Sequence, residues 1–228
     1  MANLSNLRDR ISSSSTNISS DIILAGDIMK LTWMNVDSVI WLTKKLTNLP
    51  IKKEIVLNVL DFDDTLYSRF NQLQDPLFQD NRWSDWNRVL RQVWIDNFVN
   101  KFYKRSWAVL KLIKIIENQN YNHRSIILTA WEMDLQKLKC EALWIEWNKP
   151  KVVVVKESKN KPMKMLLEIL ESWYIPGKII VYEDRPEFFL WNNWKTLAKM
   201  LGIEIVVDHI FLEQDDTTKI AKIDQTIF

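Results

Sequence analysis

Asp61, Asp63, Asp64 and Thr65 follow directly on an almost wholly apolar run, Ile55 to Leu60, in the stretch IVLNVLDFDDTLY. Asp61 and Asp63 are two residues apart, so in extended backbone their side chains point the same way. Two like charges held together call for a cation or a shared proton. The chemistry this suggests is a divalent-metal site facing a phosphate. The plainer alternative is a strand end with solvated acids, or a calcium loop. A continuous Val/Ile/Leu run predicts a strand buried on both faces, as in a parallel sheet covered by helices. In such sheets the ligand crevice lies at the carboxyl ends of the strands.

Other segments repeat the pattern. Ser125 to Thr129 predicts a second buried strand ending in a hydroxyl, Lys151 to Val155 a third, and Lys178 to Tyr182 a fourth that runs into Glu183-Asp184-Arg185-Pro186. Ile203 to Val207 predicts a fifth, with His209 just beyond it as a structural rather than a catalytic residue. Helical spacing falls between them: Phe98 to Ile116, with Phe102, Val109, Leu112, Ile113 and Ile116 on one face, then Met133 to Leu143, Met165 to Leu170 and Glu187 to Met200. The alternation predicts an α/β fold built on a mostly parallel sheet. Glu183 and Asp184 add acids at a second strand end, the oxygen ligands that magnesium takes beside waters and substrate phosphate.

Composition narrows the class. A chain of 228 residues, 47% hydrophobic, can bury one sizeable core. Lys+Arg 31 against Asp+Glu 29 gives a net charge of +2, which neither demands nor excludes a polyanionic partner. The single cysteine, Cys140, cannot support a disulfide framework and reads as a small buried hydrophobe in a reducing compartment. No apolar run approaches the ~20 residues of a membrane span, and the N-terminus lacks the plan of a signal peptide. A cytoplasmic, soluble protein with no membrane partner is the expectation.

Residues 1–20 read as a flexible Ser-rich leader. Residues 21–50 read as an N-terminal helical extension, with Val36, Val39, Ile40, Thr43 and Leu46 at helical spacing and Pro50 ending the segment. Its Lys44 and Lys45 fit a solvated face better than a nucleic-acid contact. Residues 51–212 form the main domain, with 67–97 as a candidate insertion, and 213–228 remain as an uninformative tail. In the insertion Arg69, Arg82, Arg88 and Arg91 are interleaved with Phe70, Phe78 and Trp94. They could hold a phosphorylated substrate or a nucleic-acid backbone, or form a solvated loop and helix.

Asp61-Phe62-Asp63-Asp64-Thr65, with the apolar strand before it and Leu66 after it, resembles the Asp-x-Asp-x-Thr signature of the haloacid dehalogenase-like (HAD) hydrolase superfamily. Thr129 fits that family's second motif. Lys164 is assigned to the third, because Met163 precedes it and a helical run follows, with Lys161 as competitor. Glu183 and Asp184 fit the fourth. Tyr182-Glu183-Asp184-Arg185 also resembles the branch called Swiss Army Knife RNA repair-like, for which a nucleic-acid-end phosphatase role is suggested by association.

The resemblance implies a three-layer Rossmann-like fold with a small cap inserted after the first strand. It further implies an Mg2+-dependent phosphomonoester phosphatase. Asp61 would attack phosphorus to give an aspartyl-phosphate, and Asp63 would protonate the leaving oxygen and then activate water. Asp61, Asp184 and the Asp63 backbone carbonyl would hold Mg2+, with Glu183 nearby, while Thr129 and Lys164 would stabilise phosphoryl charge. The substrate would be a phosphorylated small molecule, a nucleotide or a nucleic-acid end. Two rivals stand beside this: a non-catalytic HAD-like module that binds nucleic acid or protein, and a phosphotransferase of the same fold.

The chain has 12 tryptophans and 3 glycines, although glycine is ordinarily about 7% of residues. Several tryptophans occupy turn positions, and Trp131 stands where the HAD family often has glycine. Leu201-Gly202-Ile203-Glu204 and Leu143-Trp144-Ile145-Glu146 are parallel helix-to-strand junctions that differ by Trp for Gly. Glycine suits the left-handed position at a helix end, whereas tryptophan meets a Cβ clash. The pattern predicts a gene that uses UGA for glycine, as some bacterial lineages do, translated with UGA read as tryptophan; the alternative is a chain truly rich in tryptophan.

Overall fold

The apolar runs become the strands of one six-stranded sheet in the computed structural model, which describes residues 36–66, 97, 110–142, 145, 149–189, 198–199, 201–211 and 222–227. The strands are β1 (Ile51–Leu60), β2 (His123–Ala130), β3 (Lys151–Val155), β4 (Ile175–Glu183), β5 (Glu204–Phe211) and β6 (Lys222–Ile227). Their spatial order is β3-β2-β1-β4-β5-β6. The first five are parallel, and β6 runs antiparallel along β5. β1 and β4 are therefore neighbours at the centre, where the chain stops adding strands on one side of β1 and starts on the other. Parallel strands lie between covered faces, which explains why their apolar runs are continuous.

Four helices are described: α1 (Val36–Thr47), α2 (Leu110–Glu117), α3 (Met133–Ala142) and α4 (Lys161–Glu171). α1, α2 and α4 turn an apolar stripe inward at one-turn spacing, whereas α3 buries Gln136 and Lys139 beside Leu135 and Cys140. Leu42 and Leu46 of α1 join Met165, Leu166 and Ile169 of α4 in one core with Val59, Leu128 and Val181 of the sheet. Leu112, Ile113 and Ile116 of α2 are buried, as their spacing predicts, and Phe102 and Val109 lie outside the described residues. Pro162 marks the first turn of α4, where the missing N–H leaves no bond unmade. Cys140 is buried in α3, and burial pushes its thiol up to about 12, so it behaves as a small hydrophobe.

One expectation is corrected here. The supposed tail 213–228 contains β6, paired with β5 from Val206↔Ile227 to Phe211↔Lys222. Only Ile223 and Ile227 are apolar in it, so hydropathy gave no strand signal, and it is the ladder with β5 that defines this edge. The leader 1–20, the candidate cap 67–97 apart from residue 97, and most of Glu187 to Met200 lie outside the described residues. Among the described residues no helix is long and apolar enough to cross a membrane.

Backbone conformation bears on the tryptophans. Among the described residues three tryptophans occur, and two have positive φ: Trp131 at 97° and Trp173 at 62°. Gly202 has the same 62°. Trp173 and Gly202 each follow a helix end and donate their N–H three residues back, to Leu170 and Lys199. The parallel junctions at 145 and 203 share a further bond. Ile145 donates to the Cys140 carbonyl at 2.8 Å and Ile203 to the Ala198 carbonyl at 3.0 Å, the six-residue closure that favours glycine one position earlier. Trp144 itself lies outside the described residues.

Trp173 is 79% exposed, so its side chain offsets little of the Cβ clash. Trp173→Gly is expected to raise unfolding stability by roughly 0.5–1 kcal/mol, because relief of the left-handed clash exceeds the entropy that glycine adds to the unfolded chain. Urea unfolding of the two proteins measures it. A loss of stability would mean that the indole makes contacts worth more than the strain.

Candidate active site

The central strands carry the acids to one place. The Asp61 N–H donates to the Tyr182 carbonyl at 2.9 Å, extending the β1–β4 ladder by one residue, so that Asp61 emerges where β4 ends in Glu183 and Asp184. This is the point in the sheet where strand order reverses, which opens a crevice at the carboxyl ends. Thr129, near the end of β2, is buried on the other side of β1. A cavity of about 40 Å3 is lined by Asp61, Asp63, Thr129, Trp131, Lys161 and Asp184, among others. It has room for a few water-sized groups, so the body of any substrate lies outside it.

Electrostatics makes the cluster unusual. Asp61 and Glu183 are almost wholly buried, and Lys161 at the start of α4 lies between them, its Nζ 2.7 Å from Asp61 Oδ1 and 2.8 Å from Glu183 Oε2. Burial opposes charge on Asp61, but the Lys161 ammonium and hydrogen bonds from Glu183, Lys161 and the Phe62 backbone hold its carboxyl below the usual range. Burial and the neighbouring Asp61 charge push Glu183 well above its ordinary value, against the pull of Lys161. Burial, Asp61 and Asp64 raise Asp184 to about 7. Lys161 is held above the lysine range, because Asp61 and Glu183 outweigh the desolvation of its ammonium.

The lysine assignment needs correcting. Lys161, not Lys164, reaches the acids. Lys164 is partly exposed and pairs along its own helix, 3.0 Å from Glu168 and 4.0 Å from Glu171. The reason is helical phase: Lys161 shares the buried stripe with Met165 and Ile169, while Lys164 shares a stripe with Glu168 and Glu171. His209 lies within β5 rather than just beyond its strand, paired with Glu183, and its Nε2 is 3.0 Å from the Asp184 carbonyl.

The sequence reading missed Lys139. This residue of α3 is fully buried, and its Nζ lies 2.8 Å from both Oδ1 and Oδ2 of Asp63. A signal was present, since Lys139 falls one turn after Leu135 and beside Cys140, on the apolar face of its helix.

The carboxylates fit a hard divalent cation. Among the described residues Asp61, Glu183 and Asp184 each offer an oxygen, all within 4.8 Å of one another. Glu183 and Asp184 resist ionisation first because they are buried and then because the Asp61 charge is beside them, and a divalent ion would offset both. All-oxygen donors suit magnesium, calcium or manganese.

A pH dependence follows. With the cation chelated away, folded Asp184 keeps a proton up to about pH 7 that the unfolded chain releases near pH 4. The folded state then binds more protons across that window, so stability falls as pH rises from about 4 to about 7 and levels off above. The full shift of Asp184 by itself corresponds to about 4 kcal/mol, and Glu183, also raised, adds to the fall. Added Mg2+ is expected to raise Tm much more at pH 8 than at pH 5, and thermal unfolding in EDTA and in Mg2+ checks this. Equal effects at both values would place the cation elsewhere.

No family model matches the chain, and no curated protein or solved structure is found similar to it. Fold and site thus define a class on their own geometry: an α/β protein with a mostly parallel sheet and a buried acid-lysine cluster at its switch point.

Proposed function

We propose that this chain is an Mg2+-dependent phosphohydrolase of the HAD type that cleaves phosphomonoesters through an aspartyl-phosphate on Asp61. The observation that carries the reading is the state of Asp61: a buried carboxylate kept ionised by Lys161 2.7 Å away, at the sheet's switch point beside two further acids. An ionised, poorly hydrated carboxylate is a competent nucleophile.

Asp61 attacks phosphorus and the bond from phosphorus to the ester oxygen breaks. Asp63, at the cavity wall, gives a proton to that oxygen. Water then attacks the phosphoryl group on Asp61, Asp63 takes the water's proton, and inorganic phosphate leaves with Asp61 restored. Lys161 and the Thr129 hydroxyl counter the charge on the phosphoryl oxygens. Asp61, Asp184 and Glu183, with the Asp63 carbonyl, are the groups that would hold Mg2+. A bound divalent ion would supply neutralisation of the transferring phosphoryl group.

Phosphate release from a panel of small phosphomonoesters, nucleotides and 3′- or 5′-phosphorylated oligonucleotides, in Mg2+ and in EDTA, tests the reading. Release that requires the metal is expected, and the preferred member identifies the substrate class. No release anywhere in the panel would overturn it.

A further inference from the structure

Trp131 brings together two observations that the mechanism above does not use. Its φ is 97°, a left-handed backbone that is costly for any residue with a Cβ and most of all for a bulky one. It is also part of the wall of the cavity that contains Asp61, Asp63 and Thr129, whereas Trp41 and Trp173, 50% and 79% exposed, take no part in that wall. The backbone is not free to relax. The Trp131 N–H donates to the Val155 carbonyl at 2.9 Å, one step beyond the pairing of Ala130 with Val155 at the ends of β2 and β3. Strain of this kind gathers where a fold over-determines a residue at a functional site. Glycine ordinarily takes such a position, since it accepts positive φ and lets a ligand approach the backbone.

The size of the cavity gives this position a function. At about 40 Å3 it takes a few water-sized groups, so a phosphomonoester enters phosphoryl group first and its alcohol stays at the mouth. Asp61 and Thr129 are buried at the inner end, while Trp131 is half-buried and so stands between the cavity and solvent. An indole beside so small a space competes with the alcohol for room. A misfit of one methylene is already worth about 10–200-fold in kcat/KM. We propose that Trp131 is a specificity-determining residue whose indole narrows the mouth of the site and favours slim phosphomonoesters over bulky ones. The inference rests on the phosphohydrolase reading above. A glycine codon at 131 would make the open site the native one.

The test is selectivity between ethyl phosphate and a nucleoside 5′-monophosphate in Mg2+. Trp131→Gly is expected to raise kcat/KM on the nucleotide at least about 10-fold and on ethyl phosphate less than about 3-fold. Trp131→Ala removes the indole but keeps the Cβ, and the same shift in ratio is expected of it. It is the variant to read if Trp131→Gly does not fold. Trp173→Gly should leave the ratio where it was. An unchanged ratio in the Trp131 variants would overturn the inference and leave the phosphohydrolase standing. A loss on the nucleotide would do the same, by showing the indole to be a stacking platform rather than an obstruction. Should none of these proteins turn over either ester, calorimetry in Mg2+ with methylphosphonate and benzylphosphonate reads the ratio as binding. Tighter binding of benzylphosphonate alone in the Trp131 variants would then uphold the inference against the hydrolase reading, and unchanged or absent binding would overturn both.

Discussion

Asp61→Asn is expected to abolish phosphomonoester hydrolysis, lowering kcat/KM on the order of 10³-fold or more, while the protein folds with an unchanged or higher Tm. Loss of activity follows from the chemistry of the amide, which lacks the charge to attack phosphorus. Retained stability follows from the electrostatics. Asp61 and Glu183 share the ammonium of Lys161, and the Asp61 charge helps push Glu183 and Asp184 above their ordinary range. The amide oxygen still accepts a hydrogen bond from Lys161, and Lys161 keeps its ion pair with Glu183 at 2.8 Å. One repulsive charge is gone and no buried cation is orphaned. The fall in Tm between pH 5 and pH 8 should also flatten, since Asp184 then faces one anion fewer. Steady-state kinetics and thermal unfolding of the same preparation read both halves. Turnover within about tenfold of the unaltered protein would remove Asp61 as nucleophile, and failure to fold would show that the cluster needs its third charge.

The fold was legible where burial leaves a mark in hydropathy. β1 to β5 announced their buried parts as continuous apolar runs, because a strand between two covered faces has no polar side to show, while the exposed starts of β1 (Lys52 to Glu54) and β2 (His123, Arg124) went unread. The acids were legible for the converse reason: Asp61, Glu183 and Asp184 follow such runs with no spacer, which puts them at strand ends. Thr129 followed from the same rule. What failed were assignments made without phase. Lys164 was favoured from its neighbours in the chain, whereas α4 begins at Lys161, and Pro162 already marked that first turn. Lys139 stands in a helix with few apolar residues, and its burial depends on Asp63, seventy-six positions away. Such pairs are written in the tertiary fold and leave only a displaced charge on an apolar face as a trace. β6 left no trace at all, being held by β5 at an edge. The tryptophans are the reverse case. Their placement at turns was visible in the sequence, and φ of 97° at Trp131 and 62° at Trp173 supplies the conformational reason. Reading the source gene at these codons separates UGA from UGG.

Lys161→Met should destabilise the protein by about 3–5 kcal/mol, the usual consequence of removing one partner from a buried ion pair, while Lys164→Met changes stability by no more than about 0.5 kcal/mol. The contrast arises because Lys161 is 2% exposed and is the cation between Asp61 and Glu183, whereas Lys164 is partly exposed and its buried partner Glu168 also pairs with Lys151. Without the ammonium, two buried carboxylates face each other and respond by binding protons. The folded pKa of Glu183 then rises further above that of the unfolded chain and Asp61 is no longer held below its own, so stability is lost as pH rises. The deficit of Lys161→Met should therefore be small near pH 5 and fully developed near pH 8. Adding Glu183→Gln to Lys161→Met should recover much of it, because the double variant no longer buries an uncompensated pair. Mg2+ at pH 8 should recover part of it too, the divalent ion taking over the charge that the lysine supplied. Urea unfolding of these variants at both pH values, in EDTA and in Mg2+, measures each arm. A deficit independent of pH, or equal for Lys161→Met and Lys164→Met, would mean that Lys161 packs rather than neutralises. A pH-dependent deficit relieved by Mg2+ would identify lysine and metal as two sources of the same compensation for the acids at the end of β1 and β4.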